Sequence, residues 1–153
     1  MVKRSDVSDP DAIKALYDSV LAALDVLVNN AGIMRNLDLN KARDLIDVTR
    51  EIEINLSGLV RMVQQFLPHL KTRPGSAIVN VSSGLAFVPF PTSPVYCATK
   101  AALHSFSQSL RAEICRLSSR PARRFRAQVD PGKRAHGGRV IQSFLGRRIR
   151  QFP

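Results

Sequence analysis

The stretch Asp25-Val26-Leu27-Val28-Asn29-Asn30-Ala31-Gly32 decides the fold, because it joins a short apolar run to a polar turn. An apolar run without polar alternation is typical of a strand that is buried on both faces. Ala77-Ile78-Val79-Asn80-Val81 forms a second run of this kind. Such strands belong to parallel sheets covered by helices, so we expect Val26–Val28 and Ala77–Val81 to be adjacent parallel strands.

Helical patterns flank and separate these two predicted strands. Ser8-Asp9-Pro10-Asp11 is a typical helix start, with capping side chains, a proline in the first turn and acids near the positive end of the helix dipole. Apolar residues recur at helical spacing after this start, again between the strands, and again from about Val95 to Cys115. The order helix, strand, helix, strand, helix predicts an α/β fold with a parallel sheet, which two strands alone would leave incomplete.

Length and composition limit the classes of protein that this sequence can encode. A chain of 153 residues can bury one ordinary core. The sequence has no run of about 18 apolar residues that could span a membrane, and its first residues lack the apolar stretch of a secretory signal. The two cysteines, Cys97 and Cys115, have no metal-ligand spacing, so we expect reduced thiols in a cytoplasmic protein without a metal.

The formal net charge of +11 is concentrated at one end of the chain. Residues 1–115 carry 12 basic and 11 acidic residues, whereas residues 116–153 carry 11 basic residues and a single acid. This contrast predicts a folded domain over 1–115 and a basic, arginine-rich, disordered tail over 116–153. The tail could also bind nucleic acid through its positive charge. However, it lacks an aromatic stacking platform, which argues against a nucleic-acid partner.

The segment Tyr96-Cys97-Ala98-Thr99-Lys100 carries the candidate chemistry. In a helix, Tyr96 and Lys100 lie one turn apart on the same face. A phenol has a pKa of about 10, and a neighbouring ammonium stabilises the phenolate and so lowers that pKa towards neutrality. This pair could serve acid–base catalysis, although the same spacing also arises by chance on an ordinary helix.

Three further polar features favour a functional role for the Tyr96–Lys100 pair over a chance spacing. Ser83 follows the second predicted strand, thirteen residues before Tyr96, at the edge where parallel sheets bind ligands, and its hydroxyl can bond a substrate carbonyl. Asn55 lies inside a predicted helix, either as a site residue or as a satisfied amide facing solvent. Asn29-Asn30-Ala31-Gly32 is either an ordinary turn or a place where another group approaches the backbone closely.

Together these features resemble the short-chain dehydrogenase/reductase family over about residues 5–114. Their order and spacing match the family's motifs, which here are Asn29-Asn30-Ala31-Gly32, Ile54-Asn55-Leu56, Val81-Ser82-Ser83-Gly84 and Tyr96-Cys97-Ala98-Thr99-Lys100. The stretches 81–89 and 98–105 are similar to the bacterial DltE-like branch of that family.

The resemblance implies a Rossmann-type fold and an NAD(P)-dependent oxidoreductase that interconverts a small-molecule carbonyl and an alcohol, with NAD or NADP as the cofactor. It implies that Tyr96 donates or accepts the substrate proton and that Ser83 polarises the carbonyl. Lys100 would lower the pKa of Tyr96 and hold the nicotinamide ribose, and Asn55 would help to hold a relay water. The residues that would line the cofactor, with the first two at the adenine, are Asp6, Val7, Asn29, Ala31, Gly32, Tyr96 and Lys100.

The sequence also departs from the family. The family's T-G-x-x-x-G-I-G loop, whose backbone donors hold the pyrophosphate, does not precede Asp6. We therefore expect a fragment, namely a partial Rossmann-type three-layer sandwich that is incomplete at its N-terminal side and has very low activity. Asp130-Pro131-Gly132 is either a remnant of a later family turn or an ordinary turn. A non-catalytic remnant that pairs through its long helices, for instance as a homo-oligomer, is the alternative function.

Overall fold

The computed structural model of the protein describes residues 2–20, 23–38, 40, 45–117, 127–129, 140–143 and 149–152. Within these ranges the chain forms six strands, four α-helices and two short helical turns. In chain order they are β1 (Val2–Lys3), α1 (Pro10–Val20), β2 (Val26–Asn29), α2 (Leu45–Ile52), a π-helical turn (Glu53–Ser57), α3 (Gly58–Thr72), β3 (Ala77–Asn80), a 3-10 turn (Gly84–Ala86), α4 (Pro94–Leu117), β4 (Ala127–Val129), β5 (Val140–Ser143) and β6 (Ile149–Phe152).

The strands of the described ranges form one sheet with the order β1-β6-β5-β2-β3-β4. β2 and β3 are parallel neighbours, with Leu27 opposite Ile78 and Asn29 opposite Asn80. Leu27 and Ile78 are fully buried on one face of the sheet, whereas Val28 and Val79 on the other face are only partly buried. The predicted α/β fold with a parallel sheet is therefore confirmed, and the parallel pairing places the ends of β2 and β3 at the same edge.

Three strands come from the region that we predicted to be a disordered tail. β4 extends the sheet beside β3, and β5 pairs in parallel with β2 on the edge that the sequence pattern left without a neighbour. β6 pairs antiparallel with both β5 and β1. The rest of the tail, including Asp130-Pro131-Gly132 and the arginine-rich residues 118–126, lies outside the described residues. The domain boundary at 115 and the disorder of these remaining residues therefore stay predictions.

The first helix begins where its capping signals predict. The Asp9 carboxylate accepts the Asp11 amide at 2.9 Å, and the Asp9 carbonyl accepts the Ile13 amide at 3.1 Å, which satisfies donors that the first helical turn leaves unpaired. Apolar residues of α1 then pack against α3, where the rings of Tyr17 and Phe66 meet edge to face with centroids 5.3 Å apart. This packing fixes the segment before α1 against the rest of the core.

The long helix predicted between the two strands is interrupted by the π-helical turn at Glu53–Ser57. Such turns are rare and occur frequently at functional sites. Gly58 follows the turn, and a Cβ at this position would lie 2.6 Å from the Val7 carbonyl oxygen. The absence of a side chain at Gly58 therefore allows the Val7 backbone to pack directly on the helix. No helix of the described ranges is long and apolar enough to cross a bilayer.

Candidate active site

Lys100 joins the first turns of α4 to the end of β3. Its ammonium Nζ donates to the Val81 carbonyl oxygen at 2.9 Å, and the Ser82 hydroxyl donates to the Lys100 carbonyl oxygen at 3.4 Å. Lys100 is only 5% exposed, and this burial lowers the pKa of its ammonium. The first turns of α4 thus bring a buried positive charge to the carboxyl end of β3.

Tyr96 lies beside this charge, as the helical spacing predicts. Lys100 Nζ is 5.6 Å from the centroid of the Tyr96 ring, within the range of a cation–π interaction. Tyr96 is half-buried. The structure therefore places a phenol beside a fixed ammonium at the end of β3.

Ser83 begins the loop that connects β3 to α4. Its backbone is extended, and its hydroxyl oxygen accepts the Leu85 amide at 3.2 Å, which fixes the start of the 3-10 turn. This bond uses an acceptor position and leaves the hydroxyl proton available for a carbonyl oxygen. A hydrogen bond between Ser83 and the Tyr96 hydroxyl, directly or through one water, stays a prediction.

Asn55 lies in the π-helical turn and is 1% exposed. Its Oδ1 accepts the Ile33 amide at 2.7 Å, and its Nδ2 donates to the Ile33 carbonyl at 2.8 Å and to the Thr99 hydroxyl at 3.2 Å. The alternative that Asn55 is an amide facing solvent is therefore wrong. The side chain connects the helix to the loop after β2 and to α4, whereas its part in a water relay stays a prediction.

Gly32 lies where this loop passes the catalytic candidates. A Cβ at Gly32 would be 3.3 Å from Asn55 Oδ1 and 3.7 Å from Lys100 Nζ. Gly32 is exposed, so its backbone can be approached from solvent. The sequence left two interpretations of Asn29-Asn30-Ala31-Gly32, an ordinary turn or a close approach of another group to the backbone. The geometry at Gly32 favours the close approach.

A Gly32→Ala substitution is expected to lower the free energy of unfolding by about 1 kcal/mol or more, because the new methyl group must displace the fixed Asn55 amide. Gly84→Ala is the matched control, since a Cβ at Gly84 would have no atom within 4 Å. Urea unfolding of both variants measures the difference. An equal free energy of unfolding in the two variants would contradict the close packing at Gly32.

Two predicted site residues lie at the N-terminal end, before α1. The Asp6 carboxylate accepts the Ser8 hydroxyl at 2.7 Å and the Ser8 amide at 2.9 Å, and these bonds hold the pKa of Asp6 below its usual value. Val7 is 4% exposed and lines one small internal gap together with Asn29 and Ala31. The structure therefore brings Val7 next to the loop after β2, while Asp6 remains at the surface.

The Asn29 side chain belongs to a buried hydrogen-bond chain that the sequence did not reveal. Asn29 Nδ2 donates to Asn80 Oδ1 at 2.9 Å, and Asn80 Nδ2 donates to the Ser107 hydroxyl at 2.9 Å. Ser107 in turn donates to the Leu103 carbonyl at 2.8 Å. The chain connects β2, β3 and α4, so it fixes the helix that carries Tyr96 against the sheet. The only sequence signal was an asparagine inside each apolar run.

Asn80→Ala is expected to lower the free energy of unfolding by about 1–3 kcal/mol, because the buried Asn29 Nδ2 loses its acceptor and the Ser107 hydroxyl oxygen loses its donor. Asn40→Ala is the control, since Asn40 is exposed and its side chain donates to Asp38. That exposed change should cost no more than about 0.5 kcal/mol. Thermal or chemical unfolding distinguishes the two, and a neutral Asn80→Ala would refute the role of the buried chain.

A family model described as short chain dehydrogenase matches residues 1–117. Among curated proteins, the chain is similar to the uncharacterized oxidoreductase DltE of Bacillus subtilis (strain 168), with 48% identity over 116 residues. The matched segment covers 73% of this chain and 46% of DltE. The chain thus spans about half the length of this relative.

Solved structures of a reductase and a dehydrogenase are also similar to this chain, and it again covers less than half of each. L-sorbose reductase from Gluconobacter frateurii, solved with NADPH and L-sorbose, matches with a TM-score of 0.65 and 33% identity, over 73% of this chain and 43% of that protein. A gluconate 5-dehydrogenase from Burkholderia cenocepacia J2315, solved with NADP and tartrate, matches with a TM-score of 0.66 and 32% identity, over 72% of this chain and 44% of that protein.

Proposed function

Because this chain belongs to the short-chain dehydrogenase family, we propose that it carries the catalytic part of an NAD(P)-dependent oxidoreductase that interconverts a small-molecule carbonyl and its alcohol. The observation that carries the proposal is the buried Lys100 ammonium beside the Tyr96 ring at the end of β3. The position of Ser83 at the same end of β3 supports it. The fold itself is the partial Rossmann-type sandwich of this family.

The surroundings of Lys100 fit the nicotinamide-ribose half of the cofactor. One of the three N–H groups of Lys100 Nζ donates to the Val81 carbonyl oxygen, so the other two N–H groups could donate to ribose hydroxyls. Gly32 is exposed and has no side chain of its own, so its backbone is accessible beside Lys100. No T-G-x-x-x-G-I-G motif occurs within residues 1–153 to supply donors for the pyrophosphate, so the fit is restricted to the nicotinamide half.

Each catalytic side chain then has a defined task. A bound nicotinamide ring supplies or accepts the hydride. During reduction, Ser83 donates a hydrogen bond to the carbonyl oxygen, and the Tyr96 hydroxyl transfers its proton to the oxygen that becomes the alcohol. In the oxidation direction, Tyr96 takes this proton back. The charge of Lys100 stabilises the phenolate that forms, and Asn55 holds the backbone next to Lys100 in place.

The remaining assignments follow from the family. Tyr96, Lys100, Asn29, Ala31 and Gly32 would line the nicotinamide side of the cofactor. Asp6 and Val7 would lie at the adenine. Both NAD and NADP are candidates, and solved relatives that carry NADPH or NADP support a nicotinamide nucleotide. We further propose a cytoplasmic location and a homo-oligomer formed through the long helices.

Titration with nicotinamide mononucleotide tests this proposal independently of the pyrophosphate anchor. In ¹⁵N- and ¹³C-resolved NMR spectra, millimolar nicotinamide mononucleotide should shift the Gly32 amide and the Lys100 Cε resonance. Adenosine monophosphate is the control, because it carries the half of the cofactor that should not reach these residues. Shifts that are absent, or that are the same with both nucleotides, would refute the assigned nicotinamide site.

A further inference from the structure

Glu51 is a buried carboxylate that the proposed chemistry does not use. It lies near the end of α2 and is 0% exposed. Its Oε1 accepts the backbone amide of Arg35, whereas its Oε2 is buried without a hydrogen-bond partner in the part of the chain that the structure describes. Burial raises the pKa of this carboxyl group. A carboxylate is costly to bury, so a fully buried one calls for a specific role.

The position of Glu51 relative to Asn55 points to that role. The two residues are four apart, which places both side chains on one face across the junction of α2 and the π-helical turn. Asn55 binds the amide and the carbonyl of Ile33, and Glu51 binds the amide of Arg35. Two side chains of one helix therefore hold alternate residues of the loop that follows β2.

The held loop is the one that passes Lys100. Gly32 lies directly before the first held residue, and its Cβ position is 3.7 Å from Lys100 Nζ. Farther along, the Leu37 amide donates to the Thr92 carbonyl at 3.0 Å, and the Ser93 hydroxyl bonds Asn36 at 3.3 Å. These contacts fix the far end of the loop to the start of α4. Glu51 therefore holds the middle of the loop, between the part bound by Asn55 and the part bound at α4.

We propose that Glu51 is a positioning residue, whose carboxylate reaches the Arg35 amide and so keeps the Gly32–Ile33 backbone against Lys100. The inference rests on the proposed function for its catalytic meaning. In this proposal Glu51 acts through the loop and takes no part in proton transfer. This role depends on the length of the side chain, which brings the Oε1 acceptor to the Arg35 amide. An uncharged side chain of equal length can therefore substitute for it, while a shorter carboxylate cannot.

Four proteins test the proposal, namely the full chain and its Glu51→Gln, Glu51→Asp and Glu53→Gln variants. Glu53 is the matched control, because its side chain is 49% exposed and pairs with Arg61 at 3.1 Å. The first readout is hydrogen exchange at the Ile33 and Arg35 amides. The second is the pKa of Lys100, followed by ¹³C NMR of its Cε. Neither readout requires turnover or a bound nucleotide.

Glu51→Asp should accelerate exchange at Arg35 and Ile33 by about tenfold and move the pKa of Lys100 upwards, because the released loop lets water reach the ammonium. Glu51→Gln and Glu53→Gln should keep both readouts near the values of the unmodified chain. An unchanged Lys100 pKa in Glu51→Asp would overturn the proposal, even if the variant were less stable. So would equal loss of protection in the Gln and Asp variants, since charge rather than reach would then matter.

If Glu51→Asp does not fold, Glu51→Gln alone decides. Retained slow exchange at Arg35 supports the proposal, and accelerated exchange there, with the Asn80 amide unaffected as a reference in β3, overturns it. The proposed function fails separately, through the absence of nicotinamide mononucleotide shifts. Failure of the one test is therefore distinguishable from failure of the other.

Discussion

Replacing Tyr96 by phenylalanine is expected to reduce carbonyl reduction by about 10²- to 10⁴-fold, the contribution typical of a positioned general acid. The substitution removes the phenolic proton and leaves the ring in place. Lys100 does not substitute for it, because its ammonium donates to the Val81 carbonyl and lies 5.6 Å from the centre of the ring. Product formation at millimolar NADH or NADPH, measured by chromatography over long incubations, gives the ratio.

The chain contains a matched control for this experiment. Tyr17 is the other of its two tyrosines and packs in α1 against Phe66. Tyr17→Phe makes the same chemical change away from the site and should leave the rate within about twofold, since it removes no proton donor from the reaction. Equal rates for Tyr96→Phe and the unmodified chain would rule out Tyr96 as the proton donor.

The second large effect concerns cofactor affinity, which we expect to be weak for residues 1–153. A glycine-rich loop would supply several backbone donors to the pyrophosphate, and each hydrogen bond to a charged group contributes about 1.5–3 kcal/mol. Losing two of them weakens binding by about two to four orders of magnitude. NADH and NADPH should therefore bind this chain only in the millimolar range, as measured by calorimetry.

Nicotinamide mononucleotide provides the internal comparison for that affinity. It lacks the pyrophosphate bridge and the adenosine. A chain without a pyrophosphate anchor should therefore bind NADPH more tightly than the mononucleotide only by what the proposed adenine contacts of Asp6 and Val7 add. Micromolar binding of NADPH, with much weaker binding of the mononucleotide, would contradict this expectation. It would show that residues 1–153 hold the phosphates by another route.

The sequence predicted those parts of the fold that local patterns determine. Unbroken apolar runs identified β2 and β3, and capping residues before Pro10 identified the start of α1. The parallel pairing was predicted from the apolar character of both runs, and it is observed. At the site, the helical spacing of Tyr96 and Lys100 predicted their proximity, because one turn of a helix fixes that geometry without any tertiary information.

Other features depend on tertiary partners, which a local pattern does not contain. The apolar spacing runs without interruption across Glu53–Ser57, so nothing in it indicated a π-helical turn. Glu51 is a charged residue near a helix end, where solvent exposure is the ordinary expectation, yet the Arg35 amide holds it in a fully buried position. Asn80 lies within a predicted buried strand, and its amide is satisfied by Asn29 and Ser107, which only the tertiary structure brings together.

Transfer of deuterium from the cofactor tests most directly whether this chain carries a working hydride-transfer site. The unmodified chain and Tyr96→Phe are incubated with a ketone and millimolar NADPH, deuterated at the reactive carbon of the nicotinamide, and the alcohol is analysed by mass spectrometry. We predict singly deuterated alcohol from the unmodified chain, and at least about a hundredfold less from Tyr96→Phe. Equal amounts of labelled alcohol from both proteins, or no labelled alcohol from the unmodified chain, would contradict the account.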